Sequence, residues 1–78
     1  MKSATLAPHI TVDGKVRFGK PCVAGTRLAV EDVLNLLADG QSSAEIIEDF
    51  PELTEADIRA CLKFSADQMA RTAFGLAA

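Results

Sequence analysis

A chain of 78 residues has room for one domain around one core, and at this size it buries only about 60% of the surface its unfolded form exposes. Such domains often lean on a disulfide, a metal or a partner; two cysteines, one histidine and no C-x-x-C spacing point to neither a zinc set nor a disulfide framework. The net charge of −3 and a pI near 4.9 disfavour wholesale nucleic-acid binding, because phosphate affinity grows with the number of cationic contacts.

Residues 1–8 are small or polar, end in Pro8 and read as a flexible lead-in. They lack the basic-then-apolar build-up of a signal peptide, and no apolar run approaches the length of a membrane span. The expected location is therefore the cytoplasm, with Cys22 and Cys61 reduced and buried or half-buried.

Residues 9–28 read as a β-arm, with two β-prone runs on either side of Asp13-Gly14. A two-residue turn there would set Ile10 opposite Arg17 and Val12 opposite Lys15, mixing apolar and charged side chains on one face. A three-residue loop with Gly14 left-handed instead pairs Ile10 with Val16 and Thr11 with Lys15, and keeps one face apolar. The second register is preferred. Gly19 and Pro21 then break the hairpin, Cys22-Val23-Ala24 forms a short extended piece, and Gly25-Thr26 turns the chain.

From Val30 the apolar period lengthens. Val30, Val33, Leu34 and Leu37 stand at i, i+3, i+4 and i+7, which predicts a helix over 30–39 ending at Gly40. A second helix, 43–50, starts from Ser42 with Glu45 completing a capping box, buries Ile46, Ile47 and Phe50, and stops at Pro51. A third, 54–71, starts from Thr54 with Asp57 as its reciprocal partner, and Leu53 and Ile58 are placed for a hydrophobic staple. Residues 72–78 are read as a tail. The expected fold is mainly α: a three-helix core, with the second and third helices spaced as a helix-turn-helix, preceded by a β-hairpin arm.

Charge is unevenly divided. Residues 1–30 hold five cations against Asp13, a net of +4, whereas residues 31–78 hold three cations against ten carboxylates, a net of −7. Lys15, Arg17, Lys20 and Arg27 are candidates to meet phosphates or an acidic protein surface, since a β-ribbon is one way into a groove. The plainer alternative is that Lys15 and Arg17 only guard a strand edge and that Arg27 bonds within its own subunit. Arg59 and Lys63 are candidates on the third helix. That helix opens Glu55-Ala56-Asp57, however, and its i, i+4 charge pairs also describe an ordinary solvated face. Gly19-Lys20-Pro21 and Gly25-Thr26 lack the spacing of a phosphate loop.

Catalysis finds little support. His9 has no neighbouring acid–base partner in sequence, Ser42 and Thr54 are explained as caps, and thiols in apolar surroundings are poorly reactive. No cofactor and no small-molecule substrate are expected. A core this small suits a homodimer, with Ile10, Val16, Phe18, Phe64, Met69 and Phe74 as candidate contacts with a second copy or another partner.

The run Gly19-Lys20-Pro21-Cys22-Val23-Ala24-Gly25-Thr26-Arg27-Leu28-Ala29-Val30, with Ile46-Ile47-Glu48-Asp49-Phe50-Pro51-Glu52-Leu53-Thr54 and Asp57-Ile58-Arg59-Ala60, resembles the bacterial family catalogued as domain of unknown function 433. That family is described as a predicted antitoxin component, and the likeness spans about residues 9–66. It implies a homeodomain-like tri-helical fold with a β-arm, genetic pairing with a PIN-like nuclease, and autoregulatory DNA binding of the VapB type. Ala24 stands where typical members carry a basic or apolar residue, and the chain ends soon after the domain, without the long toxin-wrapping tail of some antitoxins.

Overall fold

A computed structural model describes residues 3–75; residues 1–2 of the expected lead-in and 76–78 of the expected tail lie outside the described part. The chain runs through β1 (Ala4–Ala7), β2 (Ile10–Val12), a short turn at Arg17–Gly19, β3 (Cys22–Val23), then α1 (Val30–Ala38), α2 (Ser43–Asp49) and α3 (Glu55–Ala70). The strands form one antiparallel sheet in the order β1-β2-β3.

The helix boundaries follow from local chemistry. α1 ends in a pair of reverse bonds, from Gly40 N–H to Leu37 C=O at 3.0 Å and from Gln41 N–H to Leu36 C=O at 3.1 Å. Gly40 takes φ 97°, which glycine adopts without a Cβ penalty. α2 and α3 each begin in a reciprocal box: Glu45 N–H to Ser42 Oγ at 3.1 Å with Ser42 N–H to Glu45 Oε1 at 2.8 Å, and Asp57 N–H to Thr54 Oγ1 at 3.1 Å with Thr54 N–H to Asp57 Oδ2 at 3.0 Å. α1 follows Ala29, whose methyl cannot accept; there Asp32 Oδ2 takes the Ala29 N–H at 3.0 Å.

The mainly α, homeodomain-like three-helix core with a hairpin arm is corrected by what fills the interior. Ile10 of β2 and Val23 of β3, 0% and 1% exposed, share one core cluster with Val30, Val33, Ile46, Leu53, Ile58 and Cys61. Helices and sheet thus enclose a common core, and the domain is a small α+β fold.

The predicted hairpin around Asp13-Gly14 does not form either. Asp13 Oδ1 accepts from Lys15 N–H at 2.9 Å and Asp13 C=O from Val16 N–H at 2.9 Å, so the chain curls away before Val16 can face Ile10. Ile10 pairs with Val23 instead and Thr11 with Cys22, while the other edge of β2 takes Ala4 opposite Val12 and Thr5 opposite Thr11. The tight turn is at Pro8-His9, with His9 at φ 69°. The physical reason is burial: pairing with Val23 puts two apolar side chains in the core and leaves Lys15 and Arg17 outside it.

Candidate binding surface

The loop from Asp13 to Leu28 carries the four basic residues singled out from the N-terminal half, and the structure gives each a different place. Arg17 Nη1 donates to Asp32 Oδ2 at 2.6 Å and to Arg27 C=O at 3.0 Å. The guanidinium holds the Asp32 carboxyl below its usual range, with the Ala29 N–H acting in the same direction. Lys20 pairs with Glu31. Arg17 and Lys20 are therefore neutralised by the first turn of α1, where carboxylates are also favoured by the helix dipole. Lys15 and Arg27 are exposed and form no ion pair among the described residues. Arg27 borders an open groove of ≈ 650 Å³ that also includes Thr11, Asp13 and Glu52, so both signs of charge line it.

In the glycine-rich motif the Gly25-Thr26 pair builds the turn of this loop. Gly25, at φ 79°, makes the turn after β3. Thr26 Oγ1 donates to Val23 C=O at 2.9 Å and accepts from Leu28 N–H at 3.0 Å, clamping both sides of that turn. Val30 N–H reaches back to Pro21 C=O at 2.9 Å. In the second motif Phe50 packs half-buried on the core, Leu53 is buried, and Thr54 caps α3.

Between these anchors lies Phe18. It is 98% exposed and sits in left-handed backbone, φ 59°, with Arg17 at φ 50° before it and Gly19 at φ 79° after it. A non-glycine residue there is strained, and two in succession persist only where surrounding bonds hold them. The Arg17 bonds to Asp32 and Arg27 are such a hold. The result is a phenyl ring raised on a fixed backbone with almost no contact to its own domain.

The other candidates are scattered. Ile10 is fully buried and unavailable to a partner, Val16 is half-buried, and Phe64 is half-buried beside a small apolar groove of ≈ 210 Å³ with Ala7, Pro8 and Ala60. Met69 and Phe74 are exposed at and beyond the end of α3. Lys63 pairs with Asp67 at 3.1 Å, and Arg59 is exposed without an ion pair among the described residues.

One contact escaped the sequence reading. His9 Nδ1 donates to Asp57 Oδ1 at 2.9 Å, across 48 positions, tying the β1–β2 turn to the start of α3. The same carboxylate caps α3 through its other oxygen. No spacing rule could have paired them, because the contact depends on where the first hairpin turns. Thr26, Ser42, Thr54 and Ser65 hydroxyls are engaged in local bonds. Burial pushes the Cys22 thiol up and the Cys61 thiol to about 11. Among the described residues no group of three or more His, Cys, Asp or Glu side chains is placed to hold a metal ion, and no helix is long and apolar enough to cross a membrane.

No curated protein and no solved structure matches the chain. A family model does match, over residues 10–65, from the first buried strand residue to the middle of α3. On that match, which covers most of its length, the chain belongs to the family described as "Protein of unknown function (DUF433)".

Proposed function

We propose that this domain is a non-enzymatic, antitoxin-like binding module that engages a small PIN-like nuclease and inhibits it by direct contact. The observation that carries the reading is Phe18: an aromatic side chain wholly in solvent, on strained backbone, pinned by an ion pair. Interface anchors are commonly aromatic, and a backbone already fixed in place leaves less ordering to be lost on binding. Arg27 on the same loop and the acidic balance of residues 31–78 give polar surroundings for a partner with basic patches. The nuclease as partner comes from the family resemblance. Reduced, buried thiols support a cytoplasmic setting.

A second reading, a dimeric DNA-binding regulator, is favoured by Arg59, which is exposed and forms no ion pair among the described residues. It is weakened by the engagement of Arg17, Lys20 and Lys63 with carboxylates and by the acidic first turn of α3. Co-expression decides between them. With the nuclease encoded beside it, the chain is expected to restore growth and co-purify as a stable complex, and Arg59→Ala is expected to leave both intact. Failure of both rescue and complex formation, together with a salt-sensitive shift of its own promoter that Arg59→Ala abolishes, would reverse the order of the two readings.

A further inference from the structure

The sheet ends on one side in a short strand whose outer edge is unpaired among the described residues. β1 is bonded to β2 along one edge, and no further strand lies beyond it among the described residues. Natural edges are commonly guarded by charge, proline, shortness or a bulge; Ala4-Thr5-Leu6-Ala7 is short, bulged between Thr5 and Ala7 and followed by Pro8, but carries no charge. Leu6 is 47% exposed on this strand. The groove formed with Pro8, Ala60 and Phe64 begins at Ala7, where the strand ends, and the paired Lys63 and Asp67 also line it.

We propose that the open edge of β1 is a self-association site, at which β1 of a second copy pairs antiparallel to give one continuous six-stranded sheet. A sheet edge selects an extended segment with its own unmet N–H and C=O groups, and β1 is itself such a segment. Antiparallel pairing about a two-fold axis makes the contact self-complementary. The lack of charge on the strand is what allows it: two copies of an acidic chain approach most easily where neither presents like charges. Pairing is local, because the register shifts between Thr5 and Ala7 and interrupts the ladder. Main-chain bonds therefore act together with apolar contact from Leu6 and the adjoining groove. This site is separate from the Phe18 loop and stands whether or not that loop binds a nuclease.

Sedimentation equilibrium of the whole chain, with amide hydrogen exchange at low and high protein concentration, tests it. The expected result is a monomer–dimer equilibrium in which amides of Ala4–Ala7 gain protection as concentration rises. Leu6→Lys, which places like charges from two copies at one edge, is expected to weaken dimerisation at least tenfold while the thermal midpoint at low concentration stays unchanged. A monomer at all concentrations overturns the proposal. So does a dimer whose concentration-dependent protection lies elsewhere, or one that Leu6→Lys leaves intact.

Discussion

Replacing Phe18 with glycine separates the two roles that the structure gives this position. In the folded chain the side chain is 98% exposed, so almost no apolar burial is lost with it. The backbone, at φ 59°, is one that a non-glycine residue adopts at a penalty of roughly 1–2 kcal/mol. Glycine removes that penalty but adds freedom to the unfolded chain, which offsets about 0.5–1 kcal/mol of the gain. The net is a stabilisation of about 0–1.5 kcal/mol, or a rise in Tm of up to about 12 °C for a domain of this length. Phe18→Ala keeps the strain and loses only exposed surface, so its Tm is expected to stay near that of the parent. Thermal melts followed by circular dichroism at one protein concentration read both. If Phe18→Gly melts several degrees lower than the parent, the ring packs against its own domain and the reasoning fails.

Three further outcomes follow from the core and the ionisable groups. Ile10→Ala is expected to destabilise by about 2–5 kcal/mol, the same range as Ile46→Ala, because both side chains are fully buried; urea unfolding showing only a few tenths for Ile10→Ala would restore the view of the strands as a detachable arm. Asp32 has its folded-state pKa depressed by Arg17, so its contribution is present above the unfolded carboxylate pKa and is lost as pH falls through the lower, folded value. Asp32→Asn should therefore be less stable than the parent at neutral pH and converge with it in acid, and parallel acid titrations would contradict the pairing. Cys61, with its folded-state pKa raised to about 11, favours the fold below the ordinary thiol range and loses that contribution as pH rises towards the folded value. At pH 8 a thiol reagent is expected to label Cys22 and Cys61 only as fast as the chain unfolds; prompt labelling of either would place it at the surface.

How much of this was legible beforehand depends on the range of the interaction. Ser42 with Glu45, Thr54 with Asp57, and Gly40 after α1 are contacts within one turn of chain, and the residue types at those spacings already specify them. The strand pairing was not legible, because the choice between Val16 and Val23 as partner of Ile10 turns on which one the helices can cover. Alternation within residues 9–18 suits either. The lead-in hid β1 for the same reason: Ala4-Thr5-Leu6-Ala7 is a strand only because Thr11 and Val12 stand beside it. Among the candidate contacts, Ile10 reads as a partner contact on the apolar face of a hairpin until its strand is placed in the middle of the sheet. Phe18 is one of the candidate contacts with a second copy or partner, but its exposure, its left-handed backbone and the Arg17–Asp32 hold are visible only in three dimensions.

Titration calorimetry of the neighbouring nuclease with the parent chain and with Phe18→Ala tests the central claim most directly. The account predicts a defined complex for the parent and a loss of about 30-fold or more in affinity for the variant, the size of an interface anchor worth at least ~2 kcal/mol. Equal affinities for the two chains would show that the raised ring is not what the partner grips.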